Sequence, residues 1–534
     1  MLPAQFLPAN ISPDLLSQRH LVNALGSHGY FLRHPSVKET HISWVLLTGH
    51  DVYKIKKAVD LGFLDFSSLK ARNYYCDEEL RLNRRLAPDI YLNVVPIGGT
   101  PEEPVLGRKP AIEYAVHMRR FSPSGLMDRM SACARITPDV IDKLATVIAG
   151  FHNSLPAAAK DSPFCSVAAI EKAALDNFAL LRQTCTVPRD IVLLKLANEA
   201  SAVEFSACLQ LFQQRAAAGC IRECHGDMHL GNIVVLNNVP TPFDGIEFNA
   251  ALRWIDVISE ISFPVMDLLR HGQPQHAWRL LNGYLENTGD YSGCGVLRFY
   301  LAYRAMVRAK IAAIRSGQPG MAKKAKAPKS FRSYIGLAYD FLTRRRPVLI
   351  ITYGLPGCGK STFAQIALEK LGAIRIRSDV ERKRLSGLTP LADSGDLTGE
   401  DIYSEDATRR TYERLHALAR SVIAAGFPVI VDAAFLRRAE REIFRTLAHE
   451  MAVPFVIASL QADAAAMAQR LEQRGSRHND ASEAGIAVLQ KLQAVQEPLL
   501  DQERVATVTF SNNGDVDALR SAVAGWKSLD AYLA

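Results

Sequence analysis

The sequence predicts a two-domain chain, an α+β module followed by an α/β module whose parallel sheet is covered by helices. Three observations carry this. After Pro347, short β-rich runs alternate with long amphipathic helices. Before it, strand-like runs from Trp44 to Ala58 and from Ala111 to Phe121 bracket a helical pattern over Asn73 to Leu86, and 136–218 and 256–315 are mostly helical. Between them lies the stretch of lowest complexity, Ser316 to Ser330. The expected limits are a first domain over 1–320, a basic linker with a connecting helix (Phe331 to Leu342) over 321–346, and a second domain over 347–534. A chain of 534 residues is too long for one core, which favours this division.

Composition narrows the class further. Hydrophobic residues at 48% and charged residues at 22% are ordinary globular values and exclude a disordered, collagen-like or coiled-coil chain. No apolar run approaches the roughly 18 residues of a membrane span. Met1 is followed by Leu-Pro-Ala-Gln, with no basic residue before Arg19. The expectation is a cytoplasmic protein, neither secreted nor membrane-bound. The nine cysteines are scattered without a C-x-x-C pair, as in a reduced compartment.

The first module carries candidate chemistry at both ends. Asp51-Val-Tyr-Lys54-Ile-Lys56 offers a lysine to the phosphates of a nucleotide, and Lys54 is favoured because Val52, on its own face, is then placed under the adenine. Glu79, on the helix that follows, is the expected ion-pair partner of Lys54, with Glu78 the alternative. Farther on, His225-Gly-Asp227-Met-His229-Leu-Gly-Asn232 precedes the apolar run IVVL, and Phe243-Asp244-Gly-Ile-Glu-Phe248 follows it. An Asp, an Asn five residues later and an Asp at the next strand's end supply one base and two magnesium ligands. Asp227 is the catalytic candidate that orients a hydroxyl nucleophile, and Asn232 and Asp244 are the metal ligands. A metal-hydrolase triplet of His225, Asp227 and His229 leaves Asn232 and Asp244 unexplained. His225 is expected to brace the loop, Cys220 and Cys224 to be inert thiols, and Arg253, Asp256 and Glu260 to form a network beneath it.

The linker region is one-sided in charge. The net charge is +8, yet the segment 304–346 alone carries +11, which leaves −3 for the rest. Its bland reading is a solvated linker and helix; its functional reading is a surface that tracks the phosphates of RNA or DNA.

The second module opens on the apolar strand VLIITY, and the loop Gly354-Leu355-Pro356-Gly357-Cys358-Gly359-Lys360-Ser361 with Thr362 starts the next helix. This satisfies G-x-x-x-x-G-K-[ST], the Walker A pattern. Backbone N–H groups face a β-phosphate, Lys360 reaches the β- and γ-phosphates, and Ser361 ligates magnesium. Ser378-Asp379-Val-Glu-Arg382 puts a base and an anion-holding arginine three apart on a first helical turn. Asp432 ends a buried strand, the place for a second acid of the magnesium shell. Arg470, Arg474 and Arg477, leading to Asp480 and Ser482, are the expected closing lid, with Arg474 assigned to the transferring phosphoryl group.

GLPGCGKST, the S-D-x-x-R pair and V-I-V-D-A resemble the P-loop kinase group that includes polynucleotide 5′-hydroxyl kinases, zeta-toxin-like kinases and small-metabolite kinases, over about 347–534. The H-G-D-x-H-x-x-N loop and the later Asp244 resemble the aminoglycoside phosphotransferase family, over about 40–315. Together the halves resemble bacterial proteins that fuse the two modules, and VYKIKK, LNRRLAPDIY and FDGIEFN share in that likeness. The resemblance implies a bilobal protein-kinase-like fold followed by a P-loop NTPase sheet, with ATP and Mg2+ as cofactors and a small hydroxylated acceptor. One departure stands out: between Trp44 and Asp51 only Gly49 is present, so no glycine-rich loop covers the phosphates. The expected function is a two-module Mg-ATP phosphotransferase acting on small-molecule hydroxyls. The alternatives are a nucleic-acid or nucleotide-sugar kinase working through the second module, and an ATP-binding switch without turnover.

Overall fold

The computed structural model describes residues 13–27, 35–62, 64–316, 327–390, 392, 402, 404–475 and 486–532. The chain divides into two compact units: Met1–Asn198 with Phe212–Asp267 and Tyr303–Ile335, and Glu199–Leu211 with Leu268–Ala302 and Gly336–Ala534.

In the first unit, α1 (Pro13–Ser27), β1 (Ser36–Glu39), β2 (Ser43–Leu47), β3 (Asp51–Lys56), α2 (Leu69–Asn83), β4 (Tyr91–Gly99), β5 (Pro104–Leu106) and β6 (Ala111–Arg119) come first and build an antiparallel sheet with two helices. The sheet runs β1-β2-β3-β6-β4-β5. Period-two alternation sends Trp44, Leu46, Ile55, Ile97 and Ala115 to the face where Leu21, Val22 and Leu25 of α1 pack. The Gln18 amide fastens that helix to the sheet, donating to the Lys56 carbonyl (2.9 Å) and Glu113 (2.6 Å) while accepting from Ala58 N–H (2.7 Å). The helix expected over Asn73 to Leu86 starts earlier because the Ser68 hydroxyl caps it, accepting from Ala71 N–H. Strand β4 escapes a pattern reading because Pro96, Gly98 and Gly99 interrupt it, and its pairing with β6 shifts register at two places.

The chain continues with α3 (Met127–Ala132), α4 (Pro138–Ser154), α5 (Val167–Thr184) and α6 (Pro188–Ala217). Two short antiparallel pairs come next, β7 (Ile221–Glu223) with β10 (Trp254–Asp256), and β8 (Ile233–Leu236) with β9 (Val239–Pro242). Helix α7 (Val257–Arg270) runs beneath the loops that join them.

The second unit takes in α8 (Pro274–Thr288), the start of α9 (Cys294–Ser316), and the end of α10 (Ala327–Thr343). There follow β11 (Leu349–Tyr353), α11 (Lys360–Leu371), β12 (Ile374–Arg377), α12 (Ser378–Leu385), α13 (Glu405–Ala424), β13 (Val429–Asp432), α14 (Arg438–Glu450), β14 (Phe455–Gln461), α15 (Ala464–Gly475), α16 (Ile486–Val495), α17 (Asp501–Arg504), β15 (Thr507–Ser511), α18 (Val516–Arg520) and α19 (Val523–Asp530). The five strands are parallel in the order β12-β13-β11-β14-β15. Ile350, Val456, Ala458 and Phe510 pack on Phe363 and Ala367 of α11 and on Trp526. Helices α13 and α14 cover the other face.

The partition differs from the expected limits at 320 and 347, because α8 packs with the parallel sheet. The Asn282 amide donates to the Ala373 carbonyl (2.9 Å) and accepts from Arg375 N–H (2.7 Å), so a side chain closes the free edge of β12. Arg298 likewise donates to the carbonyls of Ala425 (2.9 Å), Gly426 and Phe341 (3.0 Å).

Candidate functional sites

In the first unit the residues singled out from the sequence come together. Asp227 follows β7 on a loop whose shape its neighbours dictate. Glu260 of α7 accepts from the N–H groups of His225 (2.7 Å) and Gly226 (3.1 Å), and Asp267 accepts from Leu230 N–H (3.0 Å). His225 is a brace, its Nε2 on the Phe243 carbonyl at 2.9 Å and its Nδ1 accepting from Asp227 N–H. Gly226 has φ +89, and a Cβ there would meet the Leu252 carbonyl at 2.7 Å, so only glycine fits. The Asn232 amide donates to the Asp227 carbonyl (3.0 Å) and carboxylate (3.1 Å), which fixes the five-residue spacing as direct contact.

Opposite them, the Lys54 ammonium lies 2.8 Å from Glu79 and 2.6 Å from Asp244. Glu79 is therefore the partner; Glu78 instead pairs with Arg81 at 2.9 Å. Asp244 holds φ +62, a left-handed backbone, with its N–H donating to the Tyr91 hydroxyl and the next N–H to Asn83. Lys56 reaches the second Glu79 oxygen at 2.7 Å and also pairs with Glu247.

Electrostatics separates the two aspartates. Enclosure in the cleft raises the Asp227 pKa, and Arg308 pulls against it, leaving it at about 7 although 37% of its side chain reaches solvent. Enclosure also raises that of Asp244, but Lys54 outweighs it and holds Asp244 below the usual carboxylate range. One carboxylate is poised to exchange a proton near neutrality while its neighbour stays ionised, the arrangement of a base beside a cation ligand. A cation already sits on Asp244 in the form of Lys54, so the donor set suits a metal there. Among the described residues no three or more His, Cys, Asp or Glu come together as a group that could hold a metal ion by itself. Two protein oxygens completed by phosphates and water is how magnesium is usually held.

At the missing glycine-rich loop, β2 and β3 join through a tight hairpin. Thr48 N–H and hydroxyl both donate to the Asp51 carbonyl, at 2.9 and 2.8 Å.

In the second unit the Walker loop lies between β11 and α11. Gly359 caps α11 with φ +96, and a methyl at that position would collide with the Asn512 amide, which itself donates to the Cys358 carbonyl at 2.9 Å. The Lys360 ammonium folds back onto the Leu355 carbonyl at 3.0 Å. Asp432, at the end of β13, is buried; the Ser361 hydroxyl and Arg377, 3.9 Å away, lower its pKa, yet burial prevails and raises it. Among the described residues its Oδ2 accepts no hydrogen bond and lies 3.9 Å from the Arg377 guanidinium, so a buried acceptor beside the Ser361 hydroxyl is left that suits a divalent cation. Asp379 and Arg382 pair with each other at 3.1 Å on α12. Arg470 of α15, expected as part of the lid, donates to the carbonyls of Gly357 (3.4 Å) and Gly514 (2.9 Å), which ties it to the nucleotide loop. The side chain of Arg474, and Arg477, Asp480 and Ser482, lie outside the described residues. A cavity of about 570 Å³ adjoins Gly354 and Leu355, lined also by Ser459, Gln461, Thr509 and Arg504. It sits at β14 and β15, on the far side of β11 from Asp379 and Asp432.

Much of the basic segment is committed internally. Arg304 donates to the Ser259 (3.0 Å) and Gly226 (3.2 Å) carbonyls, Arg332 pairs with Asp190, Arg344 with Asp340 and Arg345 with Glu204. Lys323, Lys324 and Lys326 lie outside the described residues. Sequence reasoning missed the parts played by Lys56, Glu247, Asn83, Tyr91, Arg304 and Arg308. The signal for Lys56 was present, because residues two apart on a strand share a face.

Residues 349–499 match a family model described as an AAA domain. The chain is 30% identical over 471 residues to the uncharacterized protein Rv2004c of Mycobacterium tuberculosis (strain H37Rv), covering 86% of this chain and 90% of that one. The uncharacterized protein Mb2027c of Mycobacterium bovis is related to the same degree. Among solved structures, a choline/ethanolamine kinase family protein from Mesorhizobium loti is similar at 12% identity and TM-score 0.38, covering 61% of this chain and 98% of that one. A sugar kinase from Janibacter sp. HTCC2649 is similar at 16% identity and TM-score 0.27, covering 36% and 99%.

Proposed function

The chain belongs to the family of the uncharacterized mycobacterial protein Rv2004c, and we propose that it is an Mg-ATP-dependent phosphotransferase with two kinase modules. The observation that carries this reading is the cluster Lys54–Glu79–Asp244 lying close enough to the Asp227–Asn232 pair for the Asp244 charge to bear on Asp227, which brings a phosphate-binding cation, a cation ligand and a base together.

In the first unit, Asp227 accepts the proton of an acceptor hydroxyl as its oxygen attacks the γ-phosphorus, and Asn232 holds the Asp227 carboxylate in line. Lys54, fixed by Glu79, neutralises phosphate oxygens. Asn232 and Asp244 would hold a magnesium ion, which when bound would supply charge neutralisation to the transferring phosphoryl group. No covalent enzyme intermediate is needed, and catalysis is positioning with charge neutralisation. In the second unit, backbone N–H groups of the Gly354–Ser361 loop and Lys360 bind the phosphates, Ser361 and Asp432 would hold the metal, and Asp379 serves as base once Arg382 turns to an anionic part of its acceptor.

Small hydroxylated molecules are the favoured acceptors. Arg304 is buried and Arg332, Arg344 and Arg345 are paired with acids, which takes four cations of 304–346 from a surface that tracks nucleic acid. The test is transfer from γ-labelled ATP with Mg2+ into fractionated cell extract, with small metabolites separated from RNA and DNA. Label in the metabolite fraction that disappears with Asp227→Ala supports the reading. Label on nucleic acid that disappears only with Lys360→Ala moves the activity to the second unit and its alternative acceptor. No label in any fraction, despite nucleotide binding, leaves the switch.

A further inference from the structure

The geometry points to Lys56 and Glu247 as positioning residues of the first nucleotide site: Lys56 is the standing counter-ion of Glu79, which frees Lys54 to leave Asp244 for the nucleotide's phosphates. The inference rests on the reading of that cleft as a Mg-nucleotide site.

Five charged groups alternate along an unbroken chain, Asp244, Lys54, Glu79, Lys56 and Glu247. The chain is anchored at both ends in one short segment, since Asp244 and Glu247 are three residues apart. Its interior is dry: the side chains of Glu79 and Lys56 are 0% exposed and that of Glu247 is 5% exposed, whereas 46% of Asp244 reaches solvent. Exposure therefore rises only at the end where a metal would arrive.

A single lysine between Glu79 and Asp244 faces a conflict. If Lys54 moves toward phosphate, a fully buried carboxylate loses its only cation, which is costly enough to hold the lysine back. It then continues to occupy the Asp244 oxygen 2.6 Å away and competes with the metal for it. Here each Glu79 oxygen has its own ammonium, Oε1 taking Lys54 at 2.8 Å and Oε2 taking Lys56 at 2.7 Å. Glu79 stays paired wherever Lys54 goes. Glu247 balances Lys56 and fixes the far end of the segment that presents Asp244. The sum over the five groups is one negative charge, which a divalent cation arriving at Asp244 would more than neutralise.

The experiment uses the full chain with Lys360→Ala, so that nucleotide binding reports the first unit alone. Two quantities are measured: the nucleotide-free melting temperature, and the ratio of dissociation constants for a non-hydrolysable ATP analogue without and with Mg2+. The variant is Lys56→Met with Glu247→Gln, which removes the pair together and leaves no new unpaired buried charge on Glu247. The expected result is a melting temperature close to the parent's with a Mg2+ ratio reduced at least about tenfold. An unchanged ratio would overturn the positioning role and leave the pair as a structural one. Should the double variant not fold, Lys56→Gln with Glu247→Gln, which removes the same two charges but keeps polar side chains, carries the same comparison. If the parent's own binding is insensitive to Asp244→Ala, the reading of the cleft fails, and this inference fails with it.

Discussion

Asp227 is where the chemistry of single residues is most exposed to test. In its proposed role as base, Asp227, whose pKa enclosure raises to about 7, is inactive when protonated, so kcat/KM of the first unit is expected to fall about tenfold per pH unit below that value and to level off above it. Arg308 pulls the pKa down, and Arg308→Gln moves the limb to higher pH. Asp227→Asn keeps the shape, lowers transfer roughly 10²–10⁴-fold and removes the limb, a pH-rate profile being the check. These residues were legible because loop chemistry is written contiguously: H-G-D-x-H-x-x-N and G-x-x-x-x-G-K-S hold their groups within one turn of chain. Lys56 and Glu247 were not, because their meaning lies in a pairing between residues 191 apart in sequence. Arg382 points to Asp379 for a local reason, the (i, i+3) contact across one helical turn, which spacing alone does not separate from a substrate-facing pose.

Elements were legible where periodicity is unbroken. The β-rich runs expected after Pro347 (348–353, 374–377, 428–432, 454–460 and 505–510) all form strands, with ends within two residues of those limits, because a buried parallel strand is a run of β-branched and aliphatic residues between helices. In the first antiparallel sheet, β1, β4 and β5 were not read, and the physical reason is plain for β4, whose proline and glycines weaken the signal. Helix α8 is the instructive case. Its amphipathic pattern says that it is a helix, yet Asn282 decides where it belongs, by completing the hydrogen bonding of β12. Glu286 reinforces this by pairing with Arg375. Asn282→Ala leaves two buried backbone groups without partners and is expected to cost about 1–3 kcal/mol each in urea titration, less any solvent that reaches them. A fragment beginning at Pro347 lacks α8 altogether and is expected to be poorly soluble, whereas one beginning at Leu268 retains the cap; their soluble yields and circular dichroism melts make the comparison.

On the proposed reading, the whole molecule combines two phosphate-binding designs in one chain. The first relies on side-chain ions, a lysine and carboxylates converging from β3, α2 and the 225–247 region. The second relies on backbone N–H groups at the start of α11, with glycines that allow the chain to curl. Among the described residues no helix is long and apolar enough to cross a membrane. Chain order does not follow the compact units, since 199–211 and 268–302 group with the parallel sheet, which no reading of linker composition would disclose. Low complexity marks where a chain is tolerant of change, and packing marks where a unit ends.

The central claim is two separate Mg-nucleotide sites, and counting them is its most direct test. Equilibrium titration of the full chain with a non-hydrolysable ATP analogue and Mg2+ is expected to give two equivalents bound, one with Lys360→Ala, one with Asp244→Ala and none with both. A single equivalent in the unaltered chain, unaffected by Asp244→Ala, would contradict the account.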